Sequence, residues 1–142
     1  MFKVQQIDHI HVMVEDKFEA AKWYEQTLGL TIVKEKEYWA QGGGPLLISS
    51  DHGNTSLALF SRKGPRAEVA FRVGVDGFFE FVAHTKNLDL INSDGEALSQ
   101  SDIVDHDGAY SIYFDDPSGN LLEVTSYDYD EIKHRLQAWP KG

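Results

Sequence analysis

The chain has 142 residues, of which 42% are hydrophobic, and it contains no cysteine. This composition predicts one compact domain with a substantial core, and it excludes disulfides and thiolate metal ligands. No apolar run approaches the roughly 20 residues of a membrane span, and the N-terminus lacks a signal-peptide pattern, so we expect a cytoplasmic protein. The net charge of −10 argues against nucleic acid or an anionic membrane as partner and would suit a cationic ligand.

The first half of the chain predicts the order β-α-β-β-β. Alternating apolar residues indicate a strand at Ile7–Val14. Asp16 is a candidate N-cap of the helix that follows, and Gly29 can end that helix in a left-handed conformation. The other strands of this half are predicted at Thr31–Ala40, Leu46–Ser50 and Thr55–Arg62.

The second half of the chain predicts the same order. A strand at Glu68–Val75 precedes a helix at Phe78–Leu88. Two or three short strands follow, the last two at Ala109–Phe114 and Asn120–Ser126, with the tight-turn sequence DDPSGN between them. Apolar residues at helical spacing in Asp130–Ala138 indicate a short C-terminal helix.

The two halves also align with each other. The string HIHVMV from His9 matches EVAFRV from Glu68 at an offset of 59 (68 − 9), and a second anchor, at Leu28 and Leu88, gives 60 (88 − 28). We therefore predict an α+β fold of two tandem βαβββ modules, forming a curved mixed sheet with a concave cup. The single domain would span residues 1–142, with modules at about 5–63 and 66–127 and the helix at about 129–139.

Strand alternation predicts which side chains share the face opposite the helices. His9, His11 and Met13 share it in the first strand, and the internal repeat adds Arg72, the one basic residue placed there. Carboxylates and imidazoles on such a face are costly to bury unless they are paired or bind a divalent metal. An ordinary surface histidine, with carboxylates paired to Arg72, fits the same pattern. The remaining members of the face are Glu68, Ala70, Leu121, Glu123 and Thr125.

Two end motifs carry a family resemblance. IDHIHVMVED with FEAAKWYEQTLGL, and SIYFDDPSGNLLEVT near the C-terminus, resemble the vicinal oxygen chelate superfamily of glyoxalases, bleomycin resistance proteins and extradiol dioxygenases. The resemblance implies metal ligands at four positions, of which His9, Glu68 and Glu123 can bind and Ala58 cannot. Three-ligand members commonly have histidine where this chain has Glu68, so this residue departs from the family pattern.

Within that superfamily, the segment VDHDGAYSIYFDDPSGNLLE from Val104 to Glu123 is similar to extradiol ring-cleaving dioxygenases. The similarity implies that Fe(II) holds a catecholate and dioxygen, with Mn, Zn or Ni as other possible metals. It implies that Tyr113 hydrogen-bonds the substrate oxygen and that His106 orients it, with His52 or His11 as general acid/base. The substrate pocket would also use Met13 and Arg72.

Two other functions fit the same residues. One is a glyoxalase-like lyase or isomerase, in which the metal polarises a carbonyl or enediolate. The other is a metal-free, bleomycin-resistance-like protein that binds a cationic drug, with Trp23, Trp39 and Trp139 available for stacking. For each of these three functions we expect a small-molecule ligand and a homodimer.

Overall fold

The computed structural model describes residues 1–139, so the last three residues of the predicted domain lie outside the described part. The chain divides into two compact units. The first ends at Ala67 and the second begins at Glu68. Each unit is a four-stranded mixed sheet with helices. The predicted α+β fold of two tandem βαβββ modules is therefore confirmed.

The first unit contains one helix and one sheet. Its helix α1 is Lys17–Leu28, and its strands lie in the order β1-β4-β3-β2, with β1 parallel to β4 and the other pairs antiparallel. The four strands are β1 His9–Val14, β2 Thr31–Ile32, β3 Leu46–Ser49 and β4 Ser56–Ser61.

Helix α1 has the two caps that the sequence predicts. Asp16 Oδ1 accepts hydrogen bonds from the backbone N–H groups of Phe18 at 2.9 Å and Glu19 at 3.2 Å. Gly29 ends the helix at φ 70°, where a residue without Cβ is favoured. The helix buries Ala21 and Tyr24 against the sheet, whose helix-facing strand residues Val12, Leu46, Ile48 and Leu59 are fully buried.

The predicted strand Thr31–Ala40 is wrong beyond its first two residues. Residues Lys34–Gly43 instead form 3-10 turns, interrupted at Gln41 and Gly42, where the backbone is not helical. The run KEKE has no apolar alternation to anchor a strand on the core, and both residue types favour helical backbone. The backbone N–H of Lys36 accordingly bonds to the carbonyl of Val33 at 3.1 Å.

The backbone of Gly44 has no room for a side chain. A Cβ at this position would overlap the carbonyl oxygen of Trp39, although the φ of −76° is ordinary. The carbonyl of Gly44 also accepts a 2.7 Å hydrogen bond from the ammonium of buried Lys17. Overpacking costs about 1–3 kcal/mol, so Gly44→Ala is expected to lower the free energy of unfolding by that amount, measured by urea denaturation. The exposed change Gln41→Ala should alter it by less than about 0.5 kcal/mol. Equal midpoints for the two variants would contradict this account.

The second unit repeats the architecture with a longer connection between its first helix and its second strand. Helix α2 is Val75–His84, helix α3 is Tyr129–Ala138, and the strand order is β5-β8-β7-β6, with β5 parallel to β8. Short 3-10 turns occur at Thr85–Asn87 and Gln100–Asp102. The strands are β5 Glu68–Arg72, β6 Ile103–Asp105, β7 Tyr110–Asp115 and β8 Leu121–Ser126.

Helix α2 differs from the prediction of Phe78–Leu88. It begins three residues earlier, at Val75, whose N–H donates to Asp128 Oδ2 at 2.8 Å. Asp128 thus caps the N-terminus of the helix, because the N-cap residue Gly74 has no side chain that could do so. It ends at His84, before the 3-10 turn. Its apolar side buries Phe78, Phe81 and Val82 on the sheet, where Phe114, Leu122 and Val124 are also buried.

No helix among residues 1–139 is both long enough and apolar enough to cross a membrane.

Candidate functional site

Each sheet has a second face, opposite its helices, which we call the open face. On the second sheet the strand register places Ala70 and Tyr113 directly across from Glu123, on neighbouring strands. Ser111 is likewise opposite Thr125. Paired residues point to the same side of a sheet, so these side chains share the open face, as strand alternation predicts for Glu123 and Thr125.

A serine hydroxyl holds the carboxylate of Glu123. Ser111 Oγ donates to Glu123 Oε2 at 2.6 Å and lies 2.9 Å from Thr125 Oγ1, which bonds to the backbone carbonyl of Tyr110 at 3.3 Å. Ser111 is fully buried, whereas Glu123 is half-buried. The carboxylate therefore has a defined direction on the open face while staying in contact with solvent.

Tyr113 lies beside this carboxylate, and His106 lies beside Tyr113. The phenol oxygen is 2.9 Å from His106 Nε2. Burial raises the pKa of Tyr113, and the negative charge of Glu123 and a hydrogen bond to it raise that pKa further. The phenol thus keeps its proton through neutral pH and can donate it in a hydrogen bond. His106 reaches the site from the turn between β6 and β7, where its N–H bonds to the Ala109 carbonyl at 2.9 Å.

Glu68 and Arg72 occupy the edge strand of the second sheet. Glu68 is the exposed first residue of β5 and is paired with Leu121, so Ala70 is the direct neighbour of Glu123. The Arg72 guanidinium lies 4.8 Å from the centre of the Tyr127 ring, in cation–π geometry. This contact holds the Arg72 guanidinium at the Tyr127 ring.

On the first sheet, the open face carries a pair of histidines. His9 Nε2 is 3.1 Å from His11 Nε2, and Asp8 Oδ2 is 2.7 Å from His9 Nδ1. The two rings stack with centroids 5.0 Å apart. Ala58, at the position where the resemblance expects a further ligand, is fully buried and pairs directly with His11.

An apolar cluster continues this face. Met13 packs against Phe60, Leu47 and Ala58. The expectation that Arg72 is the one basic residue on these faces is wrong, because Arg62 lies 4.1 Å from the centre of the Phe60 ring and its Nε is 3.3 Å from Met13 Sδ. Arg62 is the last residue of a strand predicted from the sequence, and its contacts with Phe60 and Met13 place its side chain over this face.

His52 lies apart from the histidine pair in the first unit. It adopts a left-handed backbone (φ 60°) in the turn between β3 and β4. It lines a cavity of about 190 Å³ together with residues 31–35 and Ser49. The surroundings of His52 are thus Ser49 and residues 31–35. The acid/base role predicted for His52 stays a prediction.

A cavity of about 510 Å³ in the second unit lies away from Glu123. Its lining includes Ile103 and Tyr110, which belong to the helix-side face of the sheet, together with Leu136 and Trp139 of the C-terminal region. Its walls contain none of the predicted site residues.

The three tryptophans proposed for drug stacking already contact neighbours. Trp23 packs edge-on to Tyr24, and Trp139 packs against Phe79 with ring centres 5.2 Å apart. Trp39 is 40% exposed and carries the Lys36 ammonium 4.7 Å from its ring centre. Trp39 therefore already has a cationic partner within the chain.

Sequence reasoning missed Ser111, Asp8 and Arg62. Ser111 had a signal, because it precedes Tyr113 by two residues and must share its face in a strand. Asp8 also had one, since a carboxylate next to a candidate metal-binding histidine is a common orienting partner. For Arg62 we find no signal in the sequence.

The donor atoms fit a divalent metal in type and partly in arrangement. Among residues 1–139, no group of three or more histidine, aspartate or glutamate side chains is gathered as a metal site. The 3.1 Å separation of the His9 and His11 nitrogens does match two adjacent ligands of one ion, which lie about 3 Å apart when each metal–nitrogen distance is about 2.0–2.1 Å.

Comparison with known proteins gives a family and a fold. The chain is similar to a solved structure titled oxidase ChaP-H2, with 25% identity over 89% of this chain and 97% of that one and a TM-score of 0.67. It shares its fold with a lactoylglutathione lyase from Agrobacterium tumefaciens (19% identity, 88% and 96% covered, TM-score 0.62) and a virulence protein from Salmonella typhimurium (21%, 89% and 99%, 0.60). No curated protein matches the chain.

A family model described as the glyoxalase/bleomycin resistance protein/dioxygenase superfamily matches residues 6–124, which is most of the chain. This match includes the first of the two end motifs and all of the second except its last residue, Thr125. The chain therefore belongs to the glyoxalase/bleomycin resistance protein/dioxygenase superfamily.

Proposed function

We propose that the protein is a metal-dependent enzyme that cleaves the ring of a catechol-type substrate, as an extradiol dioxygenase does. The observation that carries the proposal is the group formed by His106, Tyr113 and Glu123 on one face of the second sheet. This arrangement suits a phenolic substrate. The protonated phenol can donate a hydrogen bond to the substrate oxygen, and the carboxylate and imidazole can accept a proton from the substrate hydroxyl. The similarity to a protein titled oxidase supports oxidation as the reaction class.

The proposed metal ligands are those that the sequence resemblance implies, His9, Glu68 and Glu123. Nitrogen and carboxylate donors of this kind suit Fe(II), and also Mn, Zn or Ni. When bound, the ion would supply Lewis acidity and, as iron, a route for electrons from the catechol substrate to dioxygen. Ser111 contributes by fixing one oxygen of Glu123, which leaves the carboxylate little freedom to rotate away.

The protein side of the mechanism follows from Tyr113 and His106. Tyr113 would donate a hydrogen bond to the substrate oxygen, which its raised pKa allows at neutral pH. His106 Nε2, at 2.9 Å, would orient the phenol and hold a proton while the substrate hydroxyl ionises. Arg72 and Met13, on the open faces of their own sheets, are proposed pocket residues.

Oxygen uptake tests the proposal. After anaerobic reconstitution with Fe(II), the wild type should consume oxygen with at least one member of a catechol panel and form the yellow ring-opened product. Tyr113→Phe removes one hydroxyl and is expected to lower kcat by about 100-fold while metal content stays unchanged. Tyr38→Phe, at a 66% exposed tyrosine, is the matched control and should keep full activity.

Two outcomes would contradict the dioxygenase. Iron bound without oxygen uptake on any catechol would favour the glyoxalase-like lyase, which can be assayed on a hemithioacetal. Tight binding of a cationic glycopeptide by metal-free protein, with no divalent metal retained, would favour the drug-binding function.

A further inference from the structure

Two imidazole nitrogens face each other on strand β1. His9 and His11 are two residues apart in an extended strand, so their side chains leave on the same side. Their Nε2 atoms are 3.1 Å apart and the ring planes differ by 20°. Both residues are solvent-exposed, so an ion can reach them from bulk water.

The hydrogen bond that His9 donates to Asp8 defines which nitrogen of His9 is available. Asp8 Oδ2, an acceptor, is 2.7 Å from His9 Nδ1, so that nitrogen carries the proton. His9 Nε2 then presents its lone pair toward His11. Without metal, the Nε2–H of His11 donates to that lone pair. When His11 instead carries its proton on Nδ1, both Nε2 lone pairs point into the same space.

The surroundings hold His11 in place. Its ring packs on Phe60, with centroids 4.8 Å apart at a 59° tilt, and Arg62 covers that same phenylalanine. Across the strands its direct neighbour is Ala58, the position at which the family resemblance expects a ligand and finds a methyl group. A donor atom is therefore present one strand away from the position that lacks one.

We propose that His9 and His11 together chelate one divalent ion through their Nε2 atoms, with His11 substituting for the ligand that Ala58 cannot provide. The inference rests on the proposed metal dependence and assigns His11 a ligand role in place of a pocket or acid/base role. Two imidazoles select borderline ions such as Zn(II), Ni(II), Cu(II) or Fe(II) over Mg(II) and Ca(II). Asp8 is the positioning residue that keeps the His9 tautomer correct.

The test measures metal binding itself. Zn(II) is titrated into wild type, His9→Gln, His11→Gln, Glu123→Gln and the control His134→Gln, which changes an exposed histidine on α3. With one equivalent of Cu(II), the nitrogen couplings in the electron paramagnetic resonance spectrum count the bound imidazoles. His11→Gln is expected to weaken Zn(II) binding at least about 10-fold and to remove one imidazole from the Cu(II) spectrum. His134→Gln should change neither, and Mg(II) should not compete.

The variants separate this proposal from the proposed function. If His11→Gln binds like wild type while His9→Gln and Glu123→Gln bind weakly, the chelate is overturned and the metal-dependent function stands. If both histidine variants bind weakly and Glu123→Gln binds normally, the chelate stands and the carboxylate centre of the proposed enzyme fails. A wild type that retains no Zn(II) at micromolar concentration overturns both. Thermal melting of each variant checks that the exposed substitutions leave the fold intact.

Discussion

Glu123→Gln is expected to weaken divalent metal binding by at least about 100-fold. Substituting a residue that only hydrogen-bonds to a metal ligand costs less, about 10–100-fold. Glutamine has nearly the same shape and keeps a carbonyl oxygen that can accept the hydrogen bond from Ser111. The loss would therefore reflect the missing negative charge rather than a disturbed sheet. The measurement is a Zn(II) titration followed by calorimetry, with thermal melting on the same samples.

A substitution that removes the same negative charge far from Glu123 is the control. Glu80→Gln removes the same charge from an exposed position on α2, on the other side of the sheet. It should leave metal affinity unchanged, since an exposed charge at that distance is largely screened by salt. Equal affinities for Glu123→Gln and wild type would remove Glu123 from the set of ligands.

Asp116→Ala is expected to cost about 3–4 kcal/mol of unfolding free energy, because buried donors lose their acceptor at about 1–3 kcal/mol each. Asp116 is 3% exposed and Oδ1 accepts the backbone N–H groups of Ser118 and Asn120, both at 2.9 Å. Oδ2 accepts the side-chain amide of Asn120 at 2.8 Å. Asn120 is itself 2% exposed, so water cannot readily replace the carboxylate.

A graded series makes the measurement of Asp116 specific. Asp116→Asn keeps one side-chain oxygen and should give an intermediate loss in urea denaturation, whereas Asp94→Ala, at an exposed turn aspartate, should stay within about 0.5 kcal/mol of wild type. If Asp116→Ala unfolds at the wild-type midpoint, the turn does not depend on this carboxylate.

The fold was largely predictable because hydrophobic periodicity and capping residues act locally. Asp16 and Gly29 delimit α1 where the sequence indicates. The prediction failed at Thr31–Ala40, where a strand of two residues gives too little alternation to detect and the charged run adopts helical turns. It also misplaced the start of α2, because the cap of Val75 comes from Asp128, which is distant in sequence.

The candidate site was predictable by face but not by contact. Alternation places Glu123 and Tyr113 on one side of their strands, yet the bond between Ser111 and Glu123 depends on the register between β7 and β8. That register follows from the geometry of the intervening turn, which sequence alone does not specify to one residue. The meeting of His9 and His11 depends on side-chain torsions, which strand periodicity does not determine.

The parallel pairing of the first and last strands has a consequence for how each unit folds. In the second unit β5 pairs with β8, and Glu68 lies across from Leu121. Neither this pairing nor the pairing of β8 with β7 can form until β8 has been synthesised. Such a high contact order means that a nascent chain on the ribosome closes this sheet last. Glu123 arrives on that same closing strand. Completion of the sheet and assembly of the group around Tyr113 are therefore one cooperative event, and a chain arrested before β8 has neither.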